Sequence, residues 1–137
     1  MVVLLKFITG VLPVCYAFSF CLYAAVLFLG ENTGRRTFGT WALAFTCFLH
    51  LTMLLVRGFV LDHCPLSTGW EIVSFLALCL SFTHLVVQRF SGFVSPGVPV
   101  VGLSLLLQTL ASSFLRYELV ISPALRRWEV PLHATLG

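Results

Sequence analysis

Polar residues divide the chain into four apolar stretches, each long enough to cross a lipid bilayer. The stretches cover approximately residues 3–29, 38–60, 70–88 and 97–114. About 20 apolar residues span a hydrocarbon core that is about 30 Å thick. The bilayer offers backbone groups no hydrogen-bonding partners, so each stretch is predicted to be a helix. Because the breaks between them are short, neighbouring helices should be antiparallel. The pattern therefore predicts an all-α membrane protein, an up-down bundle of four transmembrane helices.

The composition changes this picture little, but it excludes several classes of protein. The chain has 137 residues, of which 59% are hydrophobic and 9% are charged, and its mean hydropathy is +1.03. A soluble domain cannot hide that much apolar surface from water, so the main partner is the lipid bilayer. The net charge is only +3. No basic stripe with interleaved aromatic residues suggests nucleic acid, and no Cys-x-x-Cys pair suggests a redox or zinc motif.

Two residue types add detail to the predicted spans. Trp41, Trp70 and Trp128 fall near predicted span ends, where amphipathic rings prefer to lie, and we interpret them as interface anchors. Pro13 lies inside the first span, where it should either kink the helix or mark a packing contact.

Ionisable side chains in the second and third spans are the most informative candidates for function. His50 lies near the middle of the second span, and Arg57 follows on the same helical face two turns later. Glu71 begins the third span at the same side of the membrane. An Arg57–Glu71 ion pair across this hairpin would lessen the cost of both charges. His50 is either a hydrogen-bonding residue between helices or a ligand of haem iron or another metal.

The loop between these two spans contains His63, Pro65 and Ser67. Ser67 or Thr68 can cap the third helix, and Glu71 then falls where a capping box places its acidic residue. A well-made helix start explains Ser67 and part of Glu71, but it leaves His63 unexplained.

The end of the chain differs from the rest. We expect residues 1–118 to form the four-span bundle, and residues 119–137 to form a loop and the start of a truncated fifth helix. On this interpretation the chain is a fragment or one half of a split protein. His133 follows Trp128 at the entry to that fifth helix, a position suited to ligating an amphipathic cofactor such as haem.

Two groups of residues together resemble the cytochrome c assembly protein family, which includes CcsA, HemX and YpjD-like proteins. The first is the pattern H-x6-R-x5-H-x-P-L-S-x3-E-x3-F-x-A, which starts at His50 and ends at Ala77. The second is the tail, where Ser122 to Leu125 lead to Trp128, Leu132 and His133. The resemblance covers about residues 45–137.

The resemblance implies a function in c-type cytochrome biogenesis. Proteins of this family deliver haem across the membrane and present it on the outer face to apocytochrome c. His133 matches the position of one axial ligand of the presented, transiently bound b-type haem. The tryptophan-rich haem segment of the family is absent from this sequence. The resemblance therefore implies an incomplete haem site, no covalent attachment by this chain alone, and a partner that supplies the C-terminal half or another biogenesis subunit.

Orientation is a point on which charge and resemblance differ. Arg35, Arg36 and Arg89 lie on one face, against five basic residues on the other, namely Lys6, Arg57, Arg116, Arg126 and Arg127. The positive-inside rule thus favours the second face as cytoplasmic. The resemblance implies the bacterial cytoplasmic membrane, with the His63 loop and His133 on the outer face, and we follow the resemblance.

Other functions remain open at this stage. A HemX-like member of the family would regulate haem metabolism instead of presenting haem for attachment. A small four-span transporter or channel subunit would use His50, Arg57 and Glu71 to line a polar path. A purely structural helix bundle would scaffold a complex and need none of these residues for chemistry.

Overall fold

Four long helices make up the part of the chain that a computed structural model describes, which is residues 2–30, 33–61, 66, 68–91 and 97–115. They are α1 (Val2–Leu29), α2 (Thr33–Leu61), α3 (Gly69–Ser91) and α4 (Gly97–Phe114), and these residues include no strand. All four helices are long and apolar enough to cross a membrane. The predicted all-α class and the four spans are confirmed, while the predicted boundary at residue 118 lies outside the described residues.

The start of α2 differs from the sequence-based prediction. The helix begins at Thr33, whereas the apolar stretch begins at residue 38. Arg35 and Arg36 suggested a break between spans, yet they lie within the first turns of α2. A helix can continue past the hydrocarbon boundary, because long basic side chains reach the aqueous interface.

The helices form a closed ring in which α1 contacts α2, α2 contacts α3, α3 contacts α4, and α4 contacts α1. Side-chain contacts show that neighbours are antiparallel. Between α2 and α3, Arg57 meets Glu71 at one end and Thr40 meets Gln88 at the other. The predicted up-down topology is therefore confirmed. The packing between α2 and α3 is the least extensive of the four contacts.

Apolar side chains lie both inside and outside this bundle, as expected for a protein whose solvent is lipid. Leu5, Leu12, Leu43 and Met53 are buried in the core. Large apolar side chains also cover the exterior, including Phe7, Phe28, Phe48, Phe59, Phe82 and Phe90. Since apolar burial does not distinguish inside from outside here, the polar side chains in the interior identify the specific contacts between helices.

Pro13 gives rise to one of these contacts, between α1 and α4. The α-helix continues through Pro13, but proline has no N–H to donate to the carbonyl of Thr9 four residues earlier. Ser112 of α4 donates its hydroxyl to that carbonyl at 3.2 Å. The structure thus supports a packing contact at Pro13, the second of the two alternatives that the sequence left open.

The tryptophans that the described residues include lie on the outside of the bundle. Trp41 is 71% exposed and Trp70 is 40% exposed. Trp70 stacks on Phe114, with ring centroids 4.6 Å apart and planes inclined by 18°. Their role as interface anchors stays a prediction, and Trp128 lies outside the described residues.

Candidate functional site

The first component of the site is a buried ion pair between α2 and α3. Arg57 Nε donates to Glu71 Oε1 at 2.6 Å, and the two side chains are 1% and 0% exposed. The predicted Arg57–Glu71 pair is confirmed. Full burial means that each charge depends on the other, because a lone charge in the interior has no solvent to stabilise it.

Glu71 also caps the start of α3. Its Oε2 accepts the backbone N–H of Thr68 at 3.0 Å, and its own N–H donates to Thr68 Oγ1 at 3.3 Å. This reciprocal arrangement is a capping box with Thr68 as the N-cap. Of the two residues that the sequence offered as caps, Thr68 takes this role, and Ser67 lies outside the described residues. One carboxylate therefore both pairs with α2 and fixes the first turn of α3.

The buried pair changes the charge count that determines orientation. Arg57 is neutralised inside the protein and is not a charge at the membrane surface. Without it, the second face retains four basic residues against three, and Arg116, Arg126 and Arg127 lie outside the described residues. The positive-inside count still favours the second face as cytoplasmic, but its margin falls from two residues to one.

The second component is a chain of hydrogen bonds through His50 that joins all four helices. Tyr16 Oη of α1 lies 2.9 Å from His50 Nδ1, and His50 Nε2 lies 2.9 Å from Ser74 Oγ of α3. Ser74 donates to Gln108 Oε1 of α4 at 2.8 Å. Gln108 Nε2 donates to Ser112 Oγ at 3.0 Å, and Ser112 donates to the Thr9 carbonyl. Tyr16, His50, Ser74 and Gln108 are each 0% exposed.

The last acceptor fixes the direction of the whole chain. The Thr9 carbonyl only accepts, so Ser112 must donate to it and must accept from the amide nitrogen of Gln108. Gln108 Oε1 then accepts the Ser74 proton, and Ser74 Oγ accepts from His50 Nε2. His50 therefore carries its hydrogen on Nε2, and its Nδ1 accepts the hydroxyl of Tyr16.

This arrangement supports the first of the two roles proposed for His50, hydrogen bonding between helices. Both ring nitrogens already have partners within the bundle. A role as a haem ligand stays a prediction, and it would require His50 to give up Tyr16 or Ser74. The sequence contained a signal for the part of this chain that α4 supplies, because Gln108 and Ser112 lie four residues apart on one face of that helix.

A second polar cluster lies nearer the other end of the bundle. Tyr23 Oη donates to Gln88 Oε1 at 2.7 Å, and Gln88 Nε2 donates to Thr40 Oγ1 at 2.8 Å. His84 is buried beside Tyr23, with ring centroids 5.3 Å apart. His50 and His84 thus belong to separate clusters. Across residues 2–30, 33–61, 66, 68–91 and 97–115, no three His, Cys, Asp or Glu side chains come together as a metal site.

The remaining sequence-predicted residues, which are His63, Pro65, Ser67, Trp128 and His133, lie outside the described residues. Their points of attachment are nevertheless fixed. The stacking of Trp70 on Phe114 shows that the start of α3 and the end of α4 lie side by side. The loop that follows Leu61 and the segment that follows Leu115 therefore leave the bundle at the same end.

Ser74 offers a direct test of the polar chain. We expect Ser74→Ala to lower the free energy of unfolding by about 1–2 kcal/mol, since it leaves His50 Nε2 and Gln108 Oε1 buried without this partner. The matched control is Ser113→Ala, because exposed Ser113 donates only to Thr109 O within its own helix. Denaturation in mixed detergent micelles measures both changes. Equal effects would contradict the assigned role of Ser74.

Fold and site together define a multi-pass membrane protein, a four-helix bundle with charged and polar side chains sealed in its interior. No protein-family model and no solved structure matches the chain. It is similar to the cytochrome c biogenesis protein CcsA of Mesostigma viride, with 29% identity over 119 residues that make up 84% of this chain. The chain spans 39% of the length of that curated relative. This similarity confirms the resemblance to CcsA-type proteins that the sequence motifs indicated.

Proposed function

We propose that this chain acts in c-type cytochrome biogenesis, as the N-terminal four-helix part of a CcsA-like protein. The observation that carries the proposal is the similarity to CcsA along 119 residues, most of the chain. That stretch is too long to reflect one shared apolar span, since a single span needs only about 20 residues.

In this proposal the bundle is a scaffold for segments that handle haem at one membrane face. Glu71 fixes α3 against α2 where the His63 loop ends. Trp70 and Phe114 hold the end of α4 beside that point. The two segments that carry the family motifs therefore start close together. A scaffold of this kind positions a site without supplying its chemistry.

We propose that this face is the outer one. Among the described residues outside the buried ion pair, Arg35, Arg36 and Arg89 lie at the opposite end of the bundle, whereas Lys6 lies at this end. Basic residues are enriched on the cytoplasmic side of membrane proteins. Among these residues the distribution supports a cytoplasmic position for the arginine end, whereas the count over the whole sequence, four against three, favours the other end. The bacterial cytoplasmic membrane as the location stays a prediction.

Haem would contact the protein outside the bundle interior. Within the described residues, His50 is enclosed by its hydrogen bonds to Tyr16 and Ser74, so the interior beside it does not fit a porphyrin. The proposal assigns the axial ligand to His133, on the segment that follows α4. Bound haem would supply the group that is joined to apocytochrome c, and the C-terminal half or a partner subunit would complete the site.

A chimeric protein tests this function. The N-terminal part of a working CcsA-type protein is replaced by this chain and expressed with a reporter apocytochrome in a strain that lacks its own system. Covalently attached haem is then detected by haem staining of denaturing gels. We expect maturation of the reporter, because the scaffold would present the same segments. Loss of maturation at normal protein levels would contradict the proposal.

His133 is tested in the same chimera. We expect His133→Gly to reduce attached haem by about tenfold or more, as loss of an axial ligand weakens haem binding. Added imidazole should restore part of the activity by replacing the missing side chain. The Lys6→Gln variant, which changes an exposed residue at the same end, serves as the control. Full activity of His133→Gly would remove this residue from the haem site.

The alternative functions make different demands on the bundle. A transporter or channel subunit requires a polar path past His50, Arg57 and Glu71, whereas these residues are enclosed in two sets of hydrogen bonds. A HemX-like regulator would leave the reporter cytochrome immature in the chimera while changing cellular haem levels. We prefer the biogenesis function because the similar protein is named for it.

A further inference from the structure

A membrane-facing cleft runs between α2 and α3, starting at the arginine-bearing end of the bundle. Its outer part has a volume of about 530 Å³ and is lined by polar residues that include Arg36, Thr40, Gln88 and Arg89. Its inner part has a volume of about 520 Å³ and is lined by apolar side chains that include Phe48, Phe75 and Phe82. Both parts are lined by Ala44 and Leu85, so the cleft is continuous.

The cleft exists because α2 and α3 pack least extensively of all the neighbouring helices. The Arg57–Glu71 pair joins these helices at one end, and the Gln88–Thr40 hydrogen bond joins them near the other. The side chains between these two links, and past the hydrogen bond as far as Arg36 and Arg89, leave a groove that opens toward the lipid. Phe48 is 69% exposed and Phe82 is 59% exposed, so the inner part presents apolar surface to the bilayer.

The dimensions of the cleft match one leaflet of a membrane. Along α2 the lining residues extend from Arg36 to Leu51, which is about 22 Å at a rise of 1.5 Å per residue. Half of a hydrocarbon core is about 15 Å thick. An amphipathic molecule with its head at Arg36 and its chain along Phe48 would thus reach from the interface to the middle of the bilayer.

We propose that this cleft is a binding site for an anionic phospholipid. The phosphate group would contact the guanidinium groups of Arg36 and Arg89, since arginine binds phosphate oxygens in a planar, two-pronged geometry. One acyl chain would lie against Phe48 and Phe82. Basic pockets between transmembrane helices bind anionic headgroups in this way. The site is separate from the segments assigned to haem, and it does not depend on the proposed function.

Lipid binding to the purified 137-residue chain tests the site directly. Native mass spectrometry of the protein in detergent measures adducts with phosphatidylglycerol and with phosphatidylcholine of the same acyl chains. We expect phosphatidylglycerol to bind more tightly by about fivefold or more, as expected for basic side chains near an anionic headgroup. Equal affinity for the two lipids would overturn the proposal.

Substitutions locate the binding to the cleft. Arg36→Gln combined with Arg89→Gln should reduce phosphatidylglycerol binding by about tenfold. Phosphatidylcholine binding should fall less, because the choline ammonium already offsets the charge of its phosphate. Arg35→Gln is the matched control, because Arg35 lies at the same end but donates to the carbonyl of Leu29 and does not line the cleft. An equal loss in the control would mean that any positive charge at this end suffices, and it would contradict a built site.

The apolar part has its own test. Ala44→Leu should weaken both lipids, because the added atoms fill the junction between the two parts of the cleft. Circular dichroism verifies that the variant is folded. A different result would overturn the lipid assignment. If haemin displaces bound lipid only when both arginines are present, and the two lipids bind equally, the cleft takes a tetrapyrrole.

Discussion

Replacing Arg57 with methionine is expected to destabilise the bundle by about 3–5 kcal/mol, the cost of leaving one member of a buried ion pair without its partner. Glu71 is 0% exposed, and its Oε1 lies 2.6 Å from Arg57 Nε. Methionine fills similar space but offers no charge. Denaturation in mixed detergent micelles measures the change in the free energy of unfolding.

A second substitution separates the charge from the packing. Glu71→Gln in the Arg57→Met background removes the uncompensated charge, yet it keeps a side-chain oxygen for the N–H of Thr68. We expect the double variant to recover most of the lost stability, because the cap remains and no buried charge is left. Arg35→Gln, an exposed substitution, should change stability by less than about 0.5 kcal/mol. If the double variant were instead less stable than Arg57→Met alone, the loss of stability would not come from the unpaired charge of Glu71.

Gly97→Ala is expected to cost about 2–3 kcal/mol, since it forces extra atoms into a filled part of the core. A Cβ atom at this position would meet Tyr23 Cδ1, and it would lie 2.6 Å from Tyr23 Cε1 and 2.9 Å from His84 Nε2. Both side chains are buried, and the Tyr23 hydroxyl is held by Gln88 at 2.7 Å. Neither side chain can move without disturbing the second polar cluster.

The same substitution elsewhere provides the comparison. A Cβ atom at Gly10 would meet nothing within 4 Å, so Gly10→Ala should be neutral or stabilising through its better helix propensity. A Tyr23→Leu background should reduce the cost of Gly97→Ala, since the main obstacle is the tyrosine ring. An unchanged cost in that background, measured by the same denaturation, would show that the obstacle lies elsewhere.

The sequence predicted those features whose cause is local. Four apolar stretches of the right length specify four helices, since lipid permits few other folds. The Arg57–Glu71 pair and the cap of α3 follow from residues that a short hairpin brings together. The predicted start of α2 was wrong because charged residues such as Arg35 and Arg36 are typical of loops between spans. A helix can nevertheless continue beyond the hydrocarbon.

The partners of His50 could not be predicted in the same way. Tyr16 and Ser74 come from two other helices, and Gln108, which bonds to Ser74, comes from a third. Their identity depends on how each helix is rotated about its axis. Gln108 in particular is a neutral side chain within an apolar stretch, and only the assembled bundle shows that it is 0% exposed. For His63 and His133, which lie outside the described residues, the family-based roles stay predictions.

The missing N–H of Pro13 has a consequence far from α1. A glutamine amide and three hydroxyls can usually reverse their donors and acceptors together, which gives a buried network two states of similar energy. Here Pro13 leaves the Thr9 carbonyl open to Ser112. Because this carbonyl can only accept, it favours one of the two donor–acceptor directions of the network over the other. An alanine at position 13 would add its own N–H as a second donor to this carbonyl, and the hydrogen bond from Ser112 would then be weaker. One imino acid on α1 thus selects the tautomer of a histidine on α2, with α3 and α4 transmitting the choice.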